Sequence, residues 1–241
     1  MTKGNRAPNI VLIMADQLAP QFTGAYGHPV VKTPHIDALA GRGMRFDSAY
    51  CNSPLCAPSR FSFMSGQLIS RIGAYDNASE FSASVPTFAH YLKIMGYRTC
   101  LSGKMHFIGP DQIHGFEERV TTDIYPSDYA WRPDWERAEE RIDKWYHNMA
   151  TVKEAGIGAA TFQIDYDEEV AFFAKRRLFD YARDDDQPFC LVASFIHPHD
   201  PYVARQEWWD LYDPGEIDMP KISMSPEDHD GLSRRVLDGI E

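Results

Sequence analysis

The pattern of apolar and polar residues along the chain predicts several buried strands. An apolar run over Asn9–Ala15 stops at Asp16, as expected for a central strand of a parallel sheet. Residues 44–51 alternate between apolar and polar positions and predict a second strand. Two further strands are predicted at Tyr97–Leu101 and within "PFCLVASFIHPHDP", residues 188–201. Each apolar run is followed by polar residues or by a turn signal.

Helices are predicted between these strands. One begins at Pro34 after a Thr33 N-cap, and another runs from Pro58 to about Met64 with Gly66 beyond its end. A third ends before Gly96, and a fourth covers Tyr166–Tyr181 with an apolar stripe at helical spacing. Strands that alternate with helices predict an α/β fold with a mostly parallel sheet flanked by helices. In such a sheet, chemistry gathers at the carboxyl ends of the strands.

Composition narrows the class of protein. The 241 residues suit one large domain, and a hydrophobic content of 44% supports a sizeable core. A net charge of −11 argues against a nucleic-acid partner, because phosphate neutralisation needs clustered Lys and Arg. No apolar run approaches the roughly 20 residues that span a bilayer. The apolar segment Ile10–Ala15 lacks a following small-residue cleavage site, so we expect a cytoplasmic protein.

Four polar clusters stand where predicted elements begin or end. They are Asp16–Gln17, Cys56–Arg60, Lys104–His106 and His197–Asp200. A surface loop is the ordinary explanation for "LSGKMHFIG", and a capped turn is the ordinary explanation for "HPHDP". Their shared position at element ends predicts that they meet in one site.

Cys56 has three possible roles. Free cysteines are most often buried packing residues. At a helix N-terminus with Arg60 one turn further on, Cys56 could also be a stabilised thiolate. The third role comes from the pattern Cys56-Ala57-Pro58-Ser59-Arg60 followed by Ser65-Gly66, which resembles the signature of the type I sulfatases.

That resemblance implies an alkaline-phosphatase-like fold and a Cys56 oxidised to formylglycine by a maturation enzyme. The hydrated aldehyde carries two hydroxyl groups: one attacks the sulfur of a sulfate ester, and the other expels sulfate as the aldehyde re-forms. An unmodified thiol has no second hydroxyl and would be trapped. The resemblance gives Arg60 a role in holding the nucleophile's oxygen.

The resemblance also implies roles for the other clusters. Asp16, Gln17 and the modified Cys56 would bind a divalent metal, Ca²⁺ before Mg²⁺ or Mn²⁺. Most sulfatases have two aspartates where this chain has Asp16-Gln17, a departure that resembles the choline-sulfatase and phosphonate-monoester-hydrolase branch. The resemblance gives catalytic or substrate-binding roles to five more residues. Lys104 and His106 would neutralise a sulfate oxygen, and His199 would protonate the leaving oxygen. His197 and Asn77 would lie beside the sulfate.

An aromatic stretch, "YAWRPDWERAEERIDKWYHN", bears on the substrate. Ordinary packing explains many such stretches, whereas a quaternary ammonium prefers aromatic faces near carboxylates. Together with "SPLCAPSR" and "IHPHDPYVAR", this stretch resembles choline sulfatases. It implies choline-O-sulfate as substrate, with Trp131 and His147 at the choline end. The alternative within the same superfamily is a phosphonate monoester or phosphodiester hydrolase.

The resemblance covers only the first part of a sulfatase. Family members continue beyond this length into an Asp-His-Gly motif, and "DHDG" at residues 228–231 lacks a preceding strand, so we interpret it as a solvated loop. We therefore expect the chain to be the N-terminal part, residues 1–241, of a single catalytic domain, and to be weakly active or inactive by itself. The alternative to an enzyme is a fragment that keeps the fold, binds a ligand or partner and catalyses no reaction. By resemblance, the full-length protein would be a homo-oligomer.

Overall fold

Strands and helices alternate along the chain in the computed structural model, which describes residues 7–129, 150–184, 186–219, 221–231 and 233–234. The strands are β1 (Ile10–Ala15), β2 (Arg98–Gly103), β3 (Glu118–Arg119), β4 (Gly156–Ile157), β5 (Phe189–Phe195) and β6 (Val203–Ala204). The helices are α1 (Pro34–Arg42), α2 (Cys56–Ser65), α3 (Ile69–Ile72), α4 (Phe88–Ile94), α5 (Ala150–Lys153), α6 (Phe162–Arg183) and α7 (Gln206–Trp209). Two compact units contain these elements.

The first unit, which draws on residues 1–16, 48–139 and 162–197, contains the main sheet. Its four strands lie in the order β1-β5-β2-β3, and every pairing is parallel. The carboxyl ends of β1, β2 and β5 therefore lie at one edge of the sheet. This arrangement confirms the predicted α/β class with a parallel sheet.

Helices cover both faces of that sheet. On one face, Phe61 and Met64 of α2 pack with Leu101 and Val192 in a buried cluster. On the other face, Ala174 and Tyr181 of α6 pack with strand residues such as Leu191. An apolar core thus lies on each face of the sheet, and the two cores hold the strands in place relative to one another.

Two expectations about the strands are wrong. Residues 44–51 form no strand, and their large side chains are exposed, with Tyr50 at 91% and Met44 at 77%. Alternation predicts a strand only where another strand supplies backbone hydrogen bonds, and none pairs with this segment in the described part of the chain. β1 lies at the edge of the described sheet instead of its centre, and Ile13 on one of its faces is 69% exposed.

The helix ends follow the predicted signals. α2 begins at Cys56, two residues earlier than predicted, and ends at Gly66 in the left-handed conformation with φ 66°. α4 ends just before Gly96, which has φ 83°. α6 extends beyond the predicted Tyr166–Tyr181 to Phe162–Arg183. Glycine follows α2 and α4 because positive φ costs it little.

The second unit draws on residues 17–47, 140–161 and 198–241. It contains α1, which begins at the predicted Pro34, and a short parallel pairing of β4 with β6. Asp228 belongs to a short 3-10 turn, Pro226–Asp228. Within the described ranges, every helix is too short or too polar to span a bilayer.

Gly103 is required where β2 meets β5. Its φ is +106°, and a Cβ there would overlap the carbonyl oxygen of Ser194. Gly103→Ala therefore forces the two strand ends apart. We expect it to lower the free energy of unfolding by roughly 3 kcal/mol, measured by urea denaturation.

Gly66→Ala is the matched control for this substitution. Gly66 also has positive φ, +66°, but a Cβ there would meet no atom within 4 Å. Only the left-handed backbone then opposes the substitution, at a cost of about 1 kcal/mol. Equal losses from the two variants would contradict the close approach at Gly103.

Candidate functional site

Cys56 lies at the N-terminus of α2, beside the ends of β1 and β2. Its Sγ is 3.8 Å from Oδ1 of Asp16, and Nζ of Lys104 is 3.7 Å from the same sulfur. Asn77 supports the helix start, since its Oδ1 accepts a hydrogen bond of 3.0 Å from the Ala57 amide. Chain folding thus brings together a thiol, a carboxylate and an ammonium that are far apart in sequence.

Asp16 is the anion of this site. Its backbone amide donates to Phe195 at the end of β5, which fixes the residue where β1 stops. Its Oδ2 accepts from the Lys104 ammonium and lies 3.4 Å from Nη2 of Arg60. The three side chains are almost fully buried, at 8% exposed for Asp16, 0% for Lys104 and 6% for Arg60. We call Asp16, Cys56, Arg60 and Lys104 the Cys56 cluster.

The Cys56 cluster holds one more cation than anion. Buried charges are costly unless they are paired, and in the described part of the chain the Asp16 carboxylate is shared between Lys104 and Arg60. Arg60 also donates to the Lys104 carbonyl at 2.5 Å and to Ser194 Oγ at 2.9 Å. A surplus of positive charge in a buried cluster would favour the binding of an anion there.

Lys104 and His106 follow β2 and both lie against Tyr125. Nζ of Lys104 is 4.4 Å from the centroid of the Tyr125 ring, and the His106 ring centroid lies 5.0 Å from it. Burial lowers the pKa of His106 to about 4, and the neighbouring Lys104 charge acts in the same direction. His106 is therefore neutral at pH 7, and of these two residues only Lys104 supplies charge to a bound anion.

The pKa of Cys56 disfavours one of its three possible roles. Burial raises the pKa of the thiol above its ordinary value, and Asp16 raises it further, while Lys104 and Arg60 only partly oppose this. The thiol is protonated at neutral pH and is a weak nucleophile in that form. A stabilised thiolate is thus less favoured than the sequence alone suggested.

His197 lies in the first unit and is paired with a residue that the sequence did not indicate. Its Nδ1 is 2.7 Å from Oδ2 of Asp167, on α6. Asp167 also accepts hydrogen bonds from the amides of Ile196 and His197, so it holds the chain where β5 ends. A substrate-binding role for His197 stays a prediction.

Gln17 and His199 lie in the second unit. Gln17 has φ 60°, and its side-chain amide donates to the Tyr202 hydroxyl at 3.1 Å. His199 is buried, and its Nδ1 is 2.9 Å from the Asp200 carbonyl oxygen. Their predicted roles in metal binding and proton transfer stay predictions. Trp131 and His147 lie outside the described residues.

Sequence reasoning missed Ser194 and Asp167. Ser194 is the polar residue within the apolar run of β5. A polar residue in a buried strand is a weak signal of a functional position, and it was available in the sequence. Within the described ranges, no group of three or more His, Cys, Asp or Glu has an arrangement that could hold a metal ion. Asp16 and Cys56 together form a pair, not such a group.

Comparisons with known proteins relate residues 8–219 to the family model described as Sulfatase. The choline-sulfatase of Rhizobium meliloti (strain 1021) is 50% identical over 98% of this chain and 47% of its own length. The mouse iduronate 2-sulfatase is 29% identical, over 94% of the chain and 41% of its own length. The chain thus spans about half the length of these curated relatives.

Solved structures agree with the fold. The crystal structure of the phosphonate monoester hydrolase of Agrobacterium radiobacter matches 92% of this chain, and 47% of its own, with a TM-score of 0.65. The sequence identity in that match is 22%, so it bears on the fold alone.

Proposed function

The chain belongs to the sulfatase family, and we propose that the full-length protein hydrolyses choline-O-sulfate to choline and sulfate. The observation that carries this proposal is the Cys56 cluster with its surplus buried cation. A singly charged sulfate ester would balance that surplus when it lies against Lys104. The 50% identity to a choline-sulfatase supports choline as the alcohol.

Cys56 would supply the nucleophile after oxidation to formylglycine by a maturation enzyme. The aldehyde hydrate supplies two oxygens at one carbon, one to take up the sulfate group and one to release it. Lys104, whose Nζ is 3.7 Å from the Cys56 sulfur, would stabilise negative charge on either oxygen. Arg60 holds the loop that carries Lys104 through its bond to the Lys104 carbonyl.

A divalent metal belongs to the same proposal. Asp16 and Gln17 offer carboxylate and amide oxygens, which suit a hard cation such as Ca²⁺, Mg²⁺ or Mn²⁺. Asp16 Oδ1 faces the Cys56 side chain, so both could contact one ion. The donors fit in type but fall short of the six or more oxygens of a Ca²⁺ site, so further ligands are required. Bound there, the ion would supply Lewis-acid polarisation of the sulfate.

The remaining residues divide between the leaving group and the choline end. His199 would protonate the leaving oxygen, with His197 and Asn77 near the sulfate. Trp131 and His147 would contact the trimethylammonium group, where a Trp face attracts a quaternary cation. We also propose a cytoplasmic location and a homo-oligomeric full-length protein.

The test of this proposal is a comparison of substrates in the full-length protein. We expect kcat/KM for choline-O-sulfate to exceed that for a monoester of phenylphosphonate by a large factor, measured by release of sulfate from the first ester and of phenylphosphonate from the second. Dominant phosphonate turnover would assign the protein to the alternative hydrolase class. Binding of sulfate without turnover of either ester would favour the non-catalytic alternative.

Trp131→Ala separates choline recognition from sulfate chemistry. Loss of a cation–π contact worth about 2 kcal/mol predicts a KM for choline-O-sulfate raised roughly 30-fold. The KM for an aryl sulfate stays near that of the wild type, and Trp131→Phe retains most of the choline affinity. Equal effects on both esters would rule out the aromatic cage.

A further inference from the structure

Asp123 is a buried carboxylate that holds the loop carrying Lys104 and His106. Its Oδ2 accepts hydrogen bonds from the backbone amides of Met105, at 3.0 Å, and His106, at 2.8 Å. Its side chain is only 4% exposed. Two consecutive amides bound to one oxygen fix the path of the chain directly after Lys104.

The backbone at this point needs such a restraint. His106 has φ +61°, a left-handed conformation that non-glycine residues adopt only at a cost. The amide bonds to Asp123 offset that cost. Without them, the loop would be expected to relax to an ordinary backbone conformation.

Arg119 completes the arrangement by neutralising Asp123. Its Nη2 lies 2.8 Å from Asp123 Oδ2, and its Nη1 donates to both the carbonyl and the side-chain oxygen of Gln112. The carboxylate is therefore paired with a cation and held by two backbone amides. A charged acceptor binds amides more strongly than a neutral one.

Tyr125 follows Asp123 two positions further along the chain. The Tyr125 ring lies 4.4 Å from Nζ of Lys104 and beside the His106 ring. The Asp123 side chain thus restrains the loop that carries Lys104. The segment that contains Asp123 also carries the Tyr125 ring, which covers the Lys104 ammonium.

We infer that Asp123 is a positioning residue for the sulfatase reaction, acting through Lys104 and His106 instead of touching the substrate. This inference rests on the proposed function of that pair. Misplacement of a catalytic group by about 1 Å can cost roughly 100-fold in rate. Loss of Asp123 therefore lowers kcat more than it raises KM.

The test compares Asp123 variants of the full-length protein with a matched control. We expect Asp123→Ala to lower kcat for the sulfate ester about 100-fold. Asp123→Asn, which retains one acceptor oxygen, lowers kcat about 10-fold with KM changed less than about threefold. Asp111→Asn is the control, because Asp111 accepts from two consecutive amides, Ile113 and His114, without touching the Lys104 loop. It leaves kcat within about threefold of the wild type.

Amide hydrogen exchange across residues 103–107 gives a second readout that needs no turnover. Asp123→Asn increases deuterium uptake in this segment, whereas Asp111→Asn does not. If the wild type hydrolyses no sulfate ester, the proposed function fails and hydrogen exchange alone decides whether Asp123 holds the loop. Unchanged exchange, or a kcat in Asp123→Asn equal to that of Asp111→Asn, would overturn the inference.

Discussion

Cys56→Ala removes steady-state sulfatase turnover from the full-length protein, with kcat reduced by at least about 10³-fold. Alanine has no atom that could attack sulfur, whereas the proposed formylglycine supplies both the attacking and the expelling oxygen. The folded state should survive, because the ion pairs of Asp16 with Lys104 and Arg60 do not include the thiol. Sulfate release and a thermal melt measure the two effects separately.

Cys56→Ser distinguishes the two-oxygen mechanism from simple nucleophilic attack. Serine fits the space of cysteine and offers one hydroxyl, so it can take up a sulfate group but has no second hydroxyl to expel it. We expect at most a single turnover, with intact-mass spectrometry detecting a sulfate group bound to the serine protein and none bound to Cys56→Ala. Multiple turnovers by Cys56→Ser would contradict the mechanism. Normal turnover by wild-type protein whose measured mass shows an intact thiol would contradict it as well.

The sequence predicted the elements that local signals specify. Pro58 and Gly66 mark a helix, and that helix exists with Cys56 at its first residue. Asp16 and Lys104 are polar residues that follow apolar runs, so the sequence predicted both at strand ends. The parallel sheet brings these two strand ends together. These predictions succeeded because capping, turn formation and strand periodicity act over only a few residues.

What the sequence did not predict depends on contacts between distant parts of the chain. Arg60 and Ser194 are 134 positions apart, and their hydrogen bond exists only because β5 lies between β1 and β2. Asp123 follows β3, a strand of two residues that is too short to show any periodicity. The strand predicted at residues 44–51 is absent for the opposite reason: the local alternation is there, but no strand among the described residues pairs with it. Strand order is a property of the whole fold, so local patterns do not determine it.

Lys104→Met is expected to abolish catalysis while leaving stability nearly unchanged. Methionine fills the volume of the lysine stem but removes the charge that would stabilise the sulfate, and we expect kcat to fall by about 10³-fold. Asp16 keeps Arg60 as its partner, so no buried charge is orphaned, and the free energy of unfolding changes by less than about 1 kcal/mol. Urea denaturation and sulfate-ester turnover measure the two quantities.

Asp16→Asn is the substitution to compare with Lys104→Met. It removes the anion of the Cys56 cluster, whereas Lys104→Met removes one of its two cations. Lys104 and Arg60 then remain buried and lose the carboxylate that pairs with both, and the expected loss is about 3–5 kcal/mol of unfolding free energy. Added sulfate should recover part of that loss by binding the folded state, and it should stabilise Lys104→Met less than it stabilises the wild type. Equal destabilisation by the two substitutions would contradict a surplus of positive charge. If Lys104→Met retained the full wild-type response to sulfate, the Cys56 cluster would not be the anion receptor, since removal of its surplus cation would then have no consequence for binding.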